Sequence, residues 1–171
     1  MEEAVFYKSE GSTIFMRATG HVTALVCPSL KAAVFERLEG VPQVEKVYLD
    51  LSDCEYMDST FLGLIVGTQK RFARLSGPGE RRAMVLCGVN DACIGLLRTI
   101  GVLGMVDISE EAFPSTGDLP RLSGENRASA RFLLDAHEEL SGLSSENRKR
   151  FSTLTSVLKS AVDAEEGEKS P

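Results

Sequence analysis

The sequence of 171 residues predicts an α/β fold: a mixed, mostly parallel β-sheet that opens with an antiparallel hairpin, is covered by helices, and carries a helical hairpin at its C-terminal end. Three observations predict it. Short β-type runs alternate with amphipathic helical runs as far as Ile108, in the order β, β, α, β, α, β, α, β, and such alternation builds a largely parallel sheet with crossover helices. The first two strands are separated only by Glu10-Gly11-Ser12, the spacing of a tight hairpin. Beyond Asn126, two apolar stripes at helical spacing follow one another with a turn between them.

Ala4 to Lys8 and Thr13 to Ala18 alternate in the manner of half-buried strands. Cys27-Pro28-Ser29-Leu30 opens a helix with proline in its first turn; Leu30, Val34 and Leu38 share a face, and Gly40 and Pro42 stop it. Val44 to Leu51 is a buried strand, and Ser52 to Asp58 is a polar loop. From Phe61, apolar residues cover a wide helical arc until Ser76-Gly77-Pro78-Gly79 breaks it. Ala83 to Cys87 is another buried strand. Asn90 caps a helix over Asp91 to Ile100 that Gly101 closes, and Leu103 to Ile108 is the last strand. Phe113 to Asn126 contains Pro114, Gly117, Pro120 and Gly124, has no period, and reads as a linker. Phe132, Ala136, Leu140 and Leu143 mark one further helix; Phe151, Leu154, Leu158 and Ala161 mark the next. The expected division is 1–113 for the α/β domain, 114–126 for the linker, 127–163 for the hairpin and 164–171 for a polar, flexible tail. A lone hairpin cannot bury both stripes, so it is expected to pack on its own domain, with homodimerisation through the hairpin as the second arrangement.

Composition narrows the function. With 19 Lys+Arg against 25 Asp+Glu the chain carries a net charge of -6, which disfavours nucleic acid and anionic lipid as main partners. Its longest apolar run, Phe61 to Gly67, is too short for membrane insertion, and the acidic start Met1-Glu2-Glu3-Ala4 is unlike a signal peptide, so a cytoplasmic location is expected. Cys27, Cys54, Cys87 and Cys93 form no CxxC pair and make no zinc site; they are expected to be free thiols.

The segment richest in chemistry is YLDLSDCEYMDSTFLGLIVG, Tyr48 to Gly67, which leaves a buried strand through an acidic loop and enters a helix at Asp58-Ser59-Thr60. By residue type, Asp58 or Ser59 is a helix cap. Between Val47 and Gln69 the chain holds Asp50, Asp53, Glu55 and Asp58 and no Lys or Arg, so negative charge is expected to gather around Ser59.

The element order and DLSDCEYMDSTFLGLIVG resemble the STAS domain of bacterial anti-sigma-factor antagonists, in which Asp-Ser-Ser/Thr-Gly-Leu-Gly opens the helix after a buried strand and a short loop. NDACIGLLRTIGVLGMVDI is similar to the closing helix and strand of that family, so the resemblance covers residues 4 to about 113. It implies a STAS-like sheet and a non-catalytic, partner-switching protein without a cofactor. The serine after the aspartate, Ser59, would be phosphorylated by a serine kinase that is itself the anti-sigma factor, with Thr60 as the second candidate. Asp58, Ser59, Thr60, Phe61, Thr23 and Glu55 would form the partner-binding surface. Two positions depart from the family pattern: Phe61 stands where glycine is usual, and Thr23 where many antagonists carry an aspartate that assists the kinase reaction. The large aromatic Phe61 is expected to pack inward. A phosphate on Ser59 adds roughly -1.5 to -2 charges at a helix N-terminus that favours anions, so binding would switch without refolding.

Other groups have simpler readings. Asp50 and Asp53 at a strand end are placed like the nucleophile of an aspartate-dependent phosphoryl-transfer enzyme, but the other strand ends offer no acidic pair for Mg2+, and solvated loop acids are expected. His21 and His137 have no marked partner and are expected at the surface or in packing roles. Gly63 and Gly67 are expected to allow close helix-to-sheet packing, and Gly77-Pro78-Gly79-Glu80-Arg81-Arg82 is a turn. A structural STAS subunit of a stress-sensing or lipid-transport assembly is the alternative in which Ser59 serves only as a cap.

Overall fold

The computed structural model describes every residue except 116, 124–126 and 170–171. Strands β1 (Ala4–Glu10) and β2 (Thr13–Val22) form the expected hairpin, paired from Ala4↔Thr19 to Glu10↔Thr13. Gly11 turns it with φ 58°, a conformation that glycine adopts without a side-chain clash. Helix α1 (Cys27–Leu38), β3 (Lys46–Asp50), β4 (Cys54–Met57), α2 (Ser59–Ala73), β5 (Val85–Cys87), α3 (Asp91–Ile100) and β6 (Asp107–Ser109) follow. The sheet runs β1-β2-β3-β5-β6, with β4 paired to β2 beyond the end of β3; every pairing except β1/β2 is parallel.

Long β2 serves two partners in succession, β3 along Thr13–Arg17 and β4 along Gly20–Val22, with a register shift at Gly20/His21. Gly20 has φ 72°, and a Cβ there would come within 2.6 Å of the Met1 carbonyl oxygen, so the shift requires glycine.

Four expectations change. The polar loop Ser52 to Asp58 contains β4: Cys54 and Met57 turn inward while Glu55 and Tyr56 face out, a strand too short and too acidic to show as an apolar run. The last strand is Asp107–Ser109 rather than Leu103 to Ile108, because Val102 and Val106 enter the core from turns. Within the expected linker, Leu119–Leu122 is held along the free edge of β1 by Tyr7 N–H to Pro120 O (3.0 Å) and Leu122 N–H to Val5 O (2.9 Å), with Leu119 buried; Thr116 and Gly124 to Asn126 lie outside the described residues. That contact covers an otherwise exposed strand edge. The expected tail is helical through Lys169, as the end of α5 (Ser145–Lys169), and Ser170 and Pro171 lie outside the described residues.

The hairpin consists of α4 (Ala130–Ser141) and α5, and α4 packs on α2. This explains the wide apolar arc of α2. Its inner side meets the sheet and its outer side meets α4, so 11 of its 15 residues are buried. A helix apolar nearly all round needs such double cover. Phe61, 1 % exposed, joins Ile14, Leu30, Leu49 and Met84 in the core. Phe61→Ala should therefore lower unfolding free energy by about 3–5 kcal/mol, measured by urea denaturation.

Candidate functional site

The site begins where β2, β3 and β4 end beside the N-terminus of α2. Asp58 adopts extended backbone (φ -80°, ψ 172°), as an N-cap does, and its N–H donates to Val22 O at 2.9 Å. Its carboxylate is fully used: Oδ1 accepts from Phe61 N–H and Oδ2 from Ala24 N–H, both at 2.9 Å. One side chain thus caps α2 and fastens the loop between β2 and α1 against it.

Thr23 donates its N–H and its hydroxyl to the same Glu3 oxygen, Oε1, at 2.7 and 2.6 Å, so the departure from the family aspartate still has a carboxylate beside it, supplied by Glu3. Thr60 is 4 % exposed and Phe61 lies in the core, so neither side chain faces outward. Glu55 is exposed, receives the Met1 ammonium at 3.2 Å and lies 3.3 Å from His21 Nε2.

Ser59, at the first position of α2, is partly buried. Its Oγ lies 2.7 Å from His137 Nε2 on α4, and His137 Nδ1 lies 2.6 Å from Leu133 O. A carbonyl oxygen only accepts, so Nδ1 carries a proton, and Nε2 shares the second hydrogen bond of the ring with the Ser59 hydroxyl. His137 is 3 % exposed and meets the Phe151 ring edge-on at 5.4 Å.

His137 thus has the packing role that was one of its two expected readings, and in addition a partner, Ser59, that the sequence did not mark. Its signal in the sequence is its place four residues after Leu133 and three before Leu140, on the buried face of an amphipathic helix. No local pattern links it to Ser59, 78 residues earlier in the chain. His21, in contrast, is exposed and packs beside Tyr56.

Two of the four gathered acids, Asp50 and Glu55, have cationic partners. Asp53 is solvated, whereas Asp50, expected to be a solvated loop acid, is 4 % exposed and pairs with Arg17 at 2.8 Å. Burial by itself would raise the Asp50 carboxyl, but hydrogen bonds from the Ser52 hydroxyl and amide, together with Arg17, hold it below its ordinary value. With its oxygens committed in this way, Asp50 is poorly placed to act as a nucleophile. Among the described residues, no group of three His, Cys, Asp or Glu side chains could hold a metal ion.

Cys54 is buried rather than placed in an acidic loop. The neighbouring Cys93 thiol, 4.0 Å away, and burial push its pKa up. Gly63 and Gly67 line α2 where helices approach it, not the sheet: a Cβ on Gly63 would collide with the backbone of Ala136, and one on Gly67 would touch Phe35 and Glu139. A cleft of about 190 Å³ opens between α1, α2 and α4 without including Ser59, and its Lys31, Lys70 and Arg71 are paired with Asp135, Glu139 and Glu39.

Two measurements test this geometry. Asp58→Ala frees two backbone N–H groups at once and should lower stability by about 1–2 kcal/mol in urea unfolding. The depressed pKa of folded Asp50 contributes stability above its unfolded value of about 3.9, and this is lost as pH falls through the folded value. Asp50→Asn should therefore be less stable near neutral pH but lose less stability than the parent chain on acidification to about pH 3.

A family model described as Mlab, STAS domain matches residues 5–107. Among solved structures, the anti-sigma factor antagonist SpoIIAA in its unphosphorylated form aligns with a TM-score of 0.52 at 16 % identity, over 63 % of this chain and 90 % of its own. An NMR structure of the protein TM1081 aligns at 25 % identity over 60 % of this chain and 78 % of its own, with a TM-score of 0.48. A crystal structure of TM1081 from Thermotoga maritima aligns at 24 % identity over 60 % and 84 %, with a TM-score of 0.49. The strand, the acidic turn and the capped helix that carries Ser59 all fall within the matched stretch, and the chain belongs to the STAS domain family.

Proposed function

We propose that this chain is a cytoplasmic, non-catalytic partner-switching protein of the anti-sigma-factor-antagonist type, governed by phosphorylation of Ser59. The observation that supports this most directly is the environment of the two adjacent hydroxyls. Thr60 is buried in the domain, whereas Ser59 is partly open at the N-terminal end of a helix whose cap is already supplied by Asp58. A capping role for Ser59 is therefore redundant, and its hydroxyl is the one placed to change.

Unmodified Ser59 permits a serine kinase, itself the anti-sigma factor, to bind. Transfer of the γ-phosphoryl group of ATP on that kinase forms the Oγ–P bond, breaks the bond between the β- and γ-phosphates, and releases ADP and the hydroxyl proton. The added charge sits well at the helix N-terminus but alters the outer surface, and the partner is released. Leu25, Tyr56 and Glu55, exposed on the segments flanking Asp58, are side chains a partner could touch. Asp58, Thr60, Phe61 and Thr23 hold that surface in shape. The chain itself needs no nucleotide or metal.

The second reading is a structural STAS subunit in which Ser59 is never modified. The hydrogen bond between Ser59 and His137 favours it, since it gives the hydroxyl a structural role. Intact-mass analysis and peptide mapping of protein from its native cell separate the two. A single phosphate on the peptide containing Ser59, lost in Ser59→Ala, is the expected result. Absence of phosphate in every growth condition, with stable partner complexes indifferent to Ser59→Ala, overturns the switch in favour of the subunit.

A further inference from the structure

The α4–α5 hairpin lies on the outer face of α2, over the turn that carries Ser59. Two contacts fix it there. His137 Nε2 and Ser59 Oγ are hydrogen-bonded at 2.7 Å. One turn further along α2, Gly63 lets α4 approach so closely that a Cβ would stand 2.7 Å from the Ala136 carbonyl carbon. Lys70 with Glu139 (2.7 Å) closes the outer rim, and the buried Asn147 amide donates to Ile100 O at 2.8 Å and Leu140 O at 2.9 Å, tying the turn of the hairpin to the end of α3.

We propose that the hairpin is an intramolecular occupant of the Ser59 face of α2. While docked, it holds the Ser59 hydroxyl against His137; a phosphate on Ser59 expels it. That Ser59 is modified at all rests on the reading of Ser59 as the control point, whereas the docking of the hairpin stands on geometry alone.

The physical reason is lack of room. Ser59 Oγ and His137 Nε2 are already at hydrogen-bond distance, so a phosphorus and three more oxygens cannot enter between them. The imidazole cannot retreat with α4 in place, because the Phe151 ring packs behind it and its Nδ1 is held by Leu133 O. A phosphate kept beneath α4 would also lose water around nearly two negative charges, a cost that lifting the helix removes. The interface that must open joins close backbone contact at Gly63 and Ala136 and one buried hydrogen bond to rim ion pairs and the apolar side chains Leu140 and Phe151, and none of these residues belongs to a strand of the sheet.

The test uses the full-length chain in three forms: unmodified, carrying genetically encoded phosphoserine at position 59, and Gly63→Ala. Hydrogen–deuterium exchange is followed by mass spectrometry on peptides from α4, with β2 and β3 peptides reporting the integrity of the domain. In both altered forms the α4 amides should exchange about tenfold faster or more while the sheet is unchanged. Exchange in α4 that is equal or slower in the phosphorylated chain overturns the proposal; slower exchange would mean that α4 clasps the phosphate. Should Gly63→Ala fail to fold, its β2 and β3 peptides will show it and the phosphorylated chain decides the matter. No kinase is needed, so absence of Ser59 phosphate in the native cell would sink the functional reading and leave the hairpin result standing.

Discussion

Helix α2 is held between two layers, the sheet beneath it and α4 above it, and most of the molecule's organisation follows from that arrangement. Its inner face supplies Phe61, Ile65 and Phe72 to the core, while its outer face carries Gly67 and Gly63, and at Gly63 only glycine allows α4 to approach so closely. Without α4 the run from Thr60 to Gln69 would expose apolar surface to water, at about 25 cal/mol per Å². The hairpin is thus part of how the domain becomes closed, and Ser59 stands at the edge of that closure.

Around Ser59 the polar groups divide the work. Asp58 uses both carboxylate oxygens to join the β2–α1 loop to α2, Glu3 holds Thr23, and Arg17 neutralises Asp50. Each of these acids has a hydrogen-bond or ionic partner, and at Asp50 the partner also cancels the charge. Such a surface can keep its shape while one group on it changes charge. The domain supplies a stable frame, and the hydroxyl at its edge supplies a place where a small chemical event has a large steric effect.

Much of this was legible in the residues. Alternating periodicity and the short Glu10-Gly11-Ser12 spacing lead to the hairpin and the parallel sheet, and the Asp58 and Asn90 caps lie where the first turns of α2 and α3 require them. The inward course of Phe61 follows from its size and its place at the start of an apolar arc. Strand β4 was not legible, because four residues with two outward polar or aromatic positions resemble a loop until β2 stands beside them. Pairing of Pro120–Leu122 with β1 was hidden for a related reason: its backbone hydrogen bonds demand no particular side chains.

Local sequence by itself determined the succession of elements, the caps and the apolar faces, because these depend on residues within a turn or two of one another. Only the tertiary structure decided that Asp50 is neutralised by Arg17, that Gly63 and Gly67 face a helix rather than the sheet, and that His137 meets Ser59. Each of these brings together groups far apart in the chain, and each depends on the angle and separation at which packed elements cross. An amphipathic stripe shows that a helix must be covered; which face covers it, and which hydroxyl is caught between them, depends on the packing.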